Sequence, residues 1–209
     1  MVYHILHLGL SFGTRFSIGI QFMQELSKKG LDLLTGPSGR AIAQPMDSTL
    51  LEAMYEHISM ERNASAQYFG MSNWFSEREL RGFSRFFQKE SISEQEHAFS
   101  FAKYLIARGQ TVVLEEISKP RHNFNSVEHI ISETFQMESD VTASLQQLYS
   151  LSERASDTRT CVFLDPVVEN QTSAEDDFAY LLGKVKFAEN NPSALFIIDS
   201  ELFQGNLNK

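Results

Sequence analysis

Residues 83–104 read FSRFFQKESISEQEHAFSFAKY, and the spacing of their inward candidates decides the fold. Phe83, Phe87, Glu90, Glu94, His97, Phe101 and Tyr104 step by three and four along this run, the period of one buried face of an α-helix. Aromatic residues occupy both ends of that face. Its middle, where a packed helix is normally apolar, carries glutamates and a histidine.

The same pattern recurs on three other segments. Leu51, Met54, Ile58, Glu61, Ser65, Tyr68, Ser72 and Phe75 form one seam; Val127, Ile131, Thr134, Glu138, Val141, Leu145 and Leu148 form another. The last runs Leu164, Val168, Gln171, Glu175, Phe178, Leu182 and Val185. In each, the polar positions fall near mid-length. At about 1.5 Å rise per residue, an offset of one or two positions moves a side chain only a few ångströms along the axis. Four helices are therefore expected to direct oxygen ligands inward at one height.

Ionised carboxylates moved into low dielectric cost several kcal/mol each, and neighbouring like charges add to that cost. No seam carries Lys or Arg in its middle layer to offset them. Divalent metal is the compensating charge the pattern calls for. Carboxylates with one imidazole suit iron or manganese better than a closed zinc site of Cys and His. Glu94 and His97, at i and i+3, project from one helix face onto one ion.

Helix punctuation predicts segments at 48–76, 79–109, 126–155 and 158–188. Asp47 and Ser48 offer an N-cap for the first, Gly109 a stop for the second, and Asn125-Ser126 a start for the third. Ser156-Asp157 leaves room only for a tight reversal. Between the second and third segments lie about sixteen residues, which span about 53 Å when extended, against about 45 Å for a thirty-residue helix. One long crossover along the bundle is the expected connection. Ala194 to Ile198, after Asn191-Pro192, predicts a short fifth helix.

Asp plus Glu number 27 against 18 Lys plus Arg, giving a net charge of −9. Such a surface attracts cations and excludes nucleic acid as a partner. Cys161 is the only cysteine, so no intrachain disulfide framework exists, and a reducing, cytoplasmic setting is expected. Tyr3 to Ile20 is apolar but interrupted by Arg15, without the early charge or the cleavage pattern of a secretory signal, and too broken to span a bilayer. Residues 1–46 are read as an N-terminal extension, disordered or loosely packed before Gly36, or as a misassigned start with Met23 the initiator.

The segments MERNASAQY (60–68), ERELRGF (77–83), SEQEHAFSFAKYLIARG (93–109), FQMESD (135–140), ERASDTRTCVFLDP (153–166) and FAYLLGKVKFA (178–188) resemble the non-haem ferritins, particularly those of cyanobacterial type. The resemblance runs from about Gly36 to the C-terminus. It implies an all-α, ferritin-like antiparallel four-helix bundle over 47–209, with a long crossover between helices 2 and 3 and a short fifth C-terminal helix. It also implies an iron store with ferroxidase activity, oxidising Fe(II) with dioxygen at a non-haem di-iron site and depositing ferric mineral in a homo-oligomeric shell of 24 subunits.

By position, Glu61, Glu94 and His97 resemble the first iron site, with Glu94 the bridging carboxylate and Glu138 the main ligand of the second. Gln171 resembles the glutamine beside that second site. Some relatives place a glutamate three residues after it; here that position is Ala174, and Glu175 stands next as a displaced ligand. Glu90 resembles an accessory carboxylate for transit or a third iron. Tyr68 resembles the tyrosine that donates an electron during oxygen reduction, and it equally suits a core aromatic. Asp165 and Glu169 resemble the lining of a threefold channel admitting ferrous iron, and equally fit a solvated helix face. Where some relatives have a tryptophan, this chain has Pro166, expected to kink the fourth helix.

Three other readings compete. A haem-bearing bacterioferritin is expected to carry methionine after the bridging glutamate and a second Glu-x-x-His on the fourth helix; here Gln95 follows Glu94, and that motif is missing. A non-storage di-iron oxidase or oxygenase would hold its metals stably and run as a monomer or dimer. A plain interaction bundle leaves the inward acids without purpose.

Overall fold

The first helix begins where the sequence supplies a cap. In the computed structural model, which describes residues 33–205, the Asp47 carboxylate accepts from the backbone N–H groups of Thr49 and Leu50 at 2.9 and 3.1 Å. Helix α1 spans Ser48–Ser76. Glu79 then takes a positive φ of 61°, which delays the next helix to α2, Arg81–Ala107. Helix α3 is Val127–Arg154, started by the Ser126 hydroxyl accepting from His129 N at 3.1 Å. After a reversal at Ser156 (φ 54°), Asp157 caps α4, Thr158–Phe187. A final α5, Pro192–Gln204, has Asn191 as its cap and Pro192 in its first turn. Each such cap contributes about 1 kcal/mol.

Pro166 lies within α4 without ending it. The carbonyl that loses its donor belongs to Val162, an exposed residue near the start of the helix.

Helices α1 and α2 pair antiparallel, with the Ser65 and Ser72 hydroxyls donating to the carbonyls of Ser91 and Ser84 at 2.6 and 2.9 Å. The crossover then follows α1 in the same direction. The Tyr55 hydroxyl donates to Thr111 O and Arg62 to Glu115 O at 2.6 Å; Asn63 accepts from Ser118 N at 2.7 Å, and Gln67 from Arg121 N at 2.8 Å. Those side chains pair backbone groups of a segment that has neither helix nor strand. The chain is thereby returned to the end at which α2 began, so α3 runs with α2 and against α1, as the pairs His57–Ser144 and Met71–Thr134 require.

The two ends of the bundle are closed differently. At one, the α5 residue Asp199 supplies the cap that Leu80 lacks, accepting from Phe83 N at 2.9 Å. Gly82 makes this docking possible: a Cβ there would sit 1.7 Å from the Asp199 carbonyl oxygen. At the other end, Arg108 reaches from α2 to Asp157 at the head of α4, with Nη2 2.7 Å from the carboxylate, and also donates to Tyr104 and Thr160. Residues 35–41 form a small turn on the same end, Ser38 donating to Gly109 O at 2.9 Å. Gly109, at φ 73°, ends α2 beneath it. From 33 onward, then, the N-terminal extension rests against the bundle; the expectations for its earlier residues lie outside the described residues.

The core is two apolar clusters rather than one. Tyr68, Met71, Phe75, Phe83, Phe87, Ile130, Ile131, Phe178 and Leu181 belong to the cluster beneath α5. Leu50, Met54, Ile58, Phe101, Leu105, Val141, Leu145, Leu148 and Leu164 belong to the other. Each large side chain so buried contributes roughly 1.5–3 kcal/mol. Between the clusters, Glu61, Glu94, Glu138 and Gln171 are buried. At the seam ends, Leu50 and Leu181 are fully buried while Leu51 and Leu182 are only partly so. A three-four alternation averages 3.5 residues per turn and drifts about 20° per heptad from a straight helix.

Candidate metal centre

The polar layer is assembled from all four long helices. α1 contributes Glu61 and Tyr68, α2 contributes Glu90, Glu94 and His97, α3 contributes Glu138 and α4 contributes Gln171. Glu61, Glu94 and Glu138 are 2, 6 and 3% exposed. One ligand atom from each of Glu61, Glu94 and His97 falls within 4.8 Å of the other two. His97 Nδ1 stands 2.9 Å from Glu94 Oε2, the expected geometry for i and i+3.

A second group lies beside the first. The Tyr68 hydroxyl donates to Glu138 Oε1, and Gln171 Nε2 donates to Glu138 Oε2 at 2.9 Å. Tyr68 is completely buried, its ring 5.8 Å from Phe87 and 6.1 Å from Phe178. Its shape is fixed by packing and its hydroxyl by the carboxylate.

Burial sets the proton affinities here. It pushes Glu94 up to about 7, against the pull of the His97 hydrogen bond. It raises Glu61 and Glu138 as well, opposed by a hydrogen bond with Glu94 at the first and with Tyr68 at the second. Glu90 is carried by burial to about 7, with Lys89 acting the other way. His97 goes up to about 9 because its hydrogen bond to Glu94 outweighs desolvation. Tyr68 is held well above its ordinary value, first by burial and then by the Glu138 charge. Burial thus makes these carboxyls hold their protons more tightly than they would in water.

Access comes from one side. A cleft of about 410 Å³ between α2 and α4 is lined by Glu61, Glu90, Glu94, His97, Gln171 and Asp177, among others. The His97 side chain is 40% exposed in it. Toward α1 and α3 the layer is closed by the Tyr68–Glu138 pair and by His57.

The residues fit a hard or borderline cation. Glu61 Oε2 is buried with no hydrogen-bond partner, an acceptor left waiting for positive charge. Two carboxylates and one imidazole are a donor set for iron or manganese.

Other sequence candidates lie apart from this group. Glu175 takes a hydrogen bond from the Thr142 hydroxyl, one turn along α3 from Glu138. Four residues of α-helix turn about 400°, leaving it about 40° off the line of Gln171. Asp165 and Glu169 are exposed on α4, where Asp165 accepts from the Tyr149 hydroxyl at 3.0 Å.

His57 stands on none of the four seams, which pass from Met54 to Ile58 on its own helix. It is completely buried, with Nε2 3.0 Å from Glu61 Oε1 and Nδ1 2.9 Å from Ser144 Oγ. Burial, then repulsion from His97, takes it down to about 4, so the ring is neutral. The available signal was its place four residues before an inward glutamate.

A profile of the ferritin-like domain matches residues 51–188, and the chain belongs to that family. The "Bacterial non-heme ferritin" of Campylobacter jejuni is 27% identical over 154 residues, covering 74% of this chain and 92% of that protein. The "Ferritin-1 heavy chain" of Schistosoma mansoni is 35% identical over 113 residues, 53% of this chain and 65% of that protein. Among solved structures, an open pore ferritin from the hyperthermophilic archaeon Archaeoglobus fulgidus superposes with a TM-score of 0.74 at 23% identity, covering 77% of this chain and 98% of that one. The fold is thus a ferritin-like four-helix bundle with a short C-terminal helix.

Proposed function

We propose that this protein oxidises ferrous iron with dioxygen at a di-iron site inside each subunit and stores the ferric product in a homo-oligomeric shell. The observation that carries the reading is the polar layer itself: Glu61, Glu94 and His97 converge within 4.8 Å, with an unpartnered Glu61 oxygen between two apolar clusters. Membership of the ferritin-like family supports it.

Iron is the substrate. Glu61, Glu94 and His97 would hold the first ferrous ion, and Glu94 would be shared with a second held by Glu138. Gln171 steadies Glu138 through its 2.9 Å hydrogen bond. Two ferrous ions release one electron each to dioxygen. That reduces dioxygen, with two protons from water, to hydrogen peroxide; Tyr68 supplies a third electron, its proton having an acceptor already in contact at Glu138 Oε1, and a further ferrous ion supplies the fourth, which completes reduction to water. Glu90, on the cleft wall, receives iron on its way to or from the pair.

The cleft favours storage over stable retention of metal, since His97 remains open to water and the other ligands are labile carboxylates. Glu175 serves the second ion only if the Thr142 hydroxyl releases it. Asp165 and Glu169, exposed together on α4, fit a channel between neighbouring subunits. A shell also covers Phe187, which is 92% exposed, and the exposed Phe196 and Ile197 of α5. A family shell of 24 subunits and a cytoplasmic setting complete the reading.

The test is an anaerobic ferrous titration followed by oxygen, on material whose mass is fixed by size-exclusion light scattering. Rapid oxidation of two irons per subunit by a large closed assembly is expected. A monomer or dimer that keeps two irons bound after turnover overturns storage in favour of a di-iron oxidase, and a protein that neither binds nor oxidises iron overturns both.

A further inference from the structure

We infer that His57 is a positioning residue for this iron site, holding Glu61 by one oxygen so that the other stands free for the ion. The inference rests on the proposed function and assigns a role that the ligand set does not include. His57 lies one turn before Glu61 on α1, and its ring packs 4.4 Å from that of Phe101, centroid to centroid. The imidazole is held between that ring and the Ser144 hydroxyl.

Ser144 decides which nitrogen bears the proton. Its hydroxyl lies 2.9 Å from Nδ1, and the tautomer in which that hydroxyl donates carries its N–H at Nε2, which is the one assigned to it here. Nε2 faces Glu61 Oε1 at 3.0 Å, off the line of a full hydrogen bond, so a small rotation of the carboxylate completes it. Oε2 of the same carboxylate is buried with no N–H or alcohol hydroxyl on it, and the carboxyl that neighbours this glutamate is that of Glu94, its fellow ligand. One oxygen thus faces the imidazole nitrogen at 3.0 Å, and the other points away from it.

Chemistry explains why histidine stands there. A lysine or arginine would hold the carboxylate too, but its charge would repel the incoming dication. An imidazole donates one hydrogen bond without that charge. Holding Oε1 also favours binding through Oε2 alone, which sets the coordination number of the first ion and leaves it room for dioxygen. Partners of this kind alter metal affinity by about 10–100-fold when removed.

The test uses cobalt(II), which is stable to air and reports coordination number in its visible absorption. The full-length protein, His57→Leu, His57→Gln and Ser144→Ala are titrated with cobalt, and their melting is followed without metal. His57→Leu should bind cobalt at least tenfold more weakly, with a changed band intensity from bidentate binding by Glu61. His57→Gln, which keeps an N–H donor, should restore affinity to within about threefold and restore the spectrum. Ser144→Ala should give a smaller loss in the same direction. A histidine with only a packing role would shift melting and leave the cobalt spectrum alone. Native affinity and spectrum in both His57→Leu and Ser144→Ala overturn the assignment; if His57→Leu does not fold, Ser144→Ala decides by the same criterion. No cobalt binding by the native protein overturns the iron-site reading itself.

Discussion

Metal binding to this cluster should be governed by proton loss, and the structure sets the size of the effect. Glu94 titrates near 7 and His97 near 9, and both must be deprotonated to coordinate. If only the Glu94 proton leaves, lowering the pH from 8 to 6 weakens binding about tenfold; if the His97 proton leaves as well, the loss is about a thousandfold. His97 is open to water in the cleft, which screens its attraction to Glu94, so a loss of about a hundredfold is expected. Competition titration with cobalt(II) against a chelator across this range measures it, and a pH-stat counts the protons released. Without metal the sign reverses. Between pH 4.5 and about 7 the native state binds more protons at Glu94 than the unfolded chain does, so stability falls as pH rises through that window. An affinity that changes less than threefold between pH 6 and 8, with no proton released, refutes the argument.

The other expectations follow from single contacts. Glu94→Ala removes the shared ligand and should slow ferrous oxidation about a hundredfold or more, read by stopped-flow absorbance of the ferric product. Tyr68→Phe deletes the donor to Glu138 and the proposed electron source; it should keep iron binding and raise hydrogen peroxide released per iron oxidised, read by peroxide assay. Gly82→Ala places a methyl group in the Asp199 backbone and should displace α5 and lower the melting temperature by more than Asp199→Ala does; the latter loses only a cap of about 1 kcal/mol, and thermal circular dichroism compares the two.

Polar residues at an apolar period made the bundle legible. Glu61, Glu94 and Glu138 interrupt seams that are otherwise Leu, Ile, Val and Phe, so both the helices and their buried layer could be read from spacing. The crossover was legible from its length alone, but its attachment was not, because Arg62, Asn63 and Gln67 look like ordinary surface residues until Glu115, Ser118 and Arg121 are laid beside them. Nor was the capping of α2 by Asp199, a contact across 116 positions. Glu175 and His57 are positions that a three-four count does not settle by itself. Each stands four residues from a member of its polar layer, about 40° around the helix. The count drew Glu175 inward and left His57 out. Only the neighbouring helix decides such positions: α3 offers Thr142 to Glu175 and Ser144 to His57.

Iron-57 Mössbauer spectroscopy under anaerobic conditions, at two ferrous ions per subunit, tests most directly whether metal sits among these carboxylates. Two distinct high-spin ferrous environments are predicted, one with His97 and one without a nitrogen ligand, and both should collapse in Glu94→Ala. A single environment, unchanged by that substitution, would place the iron elsewhere on the acidic surface and contradict the account.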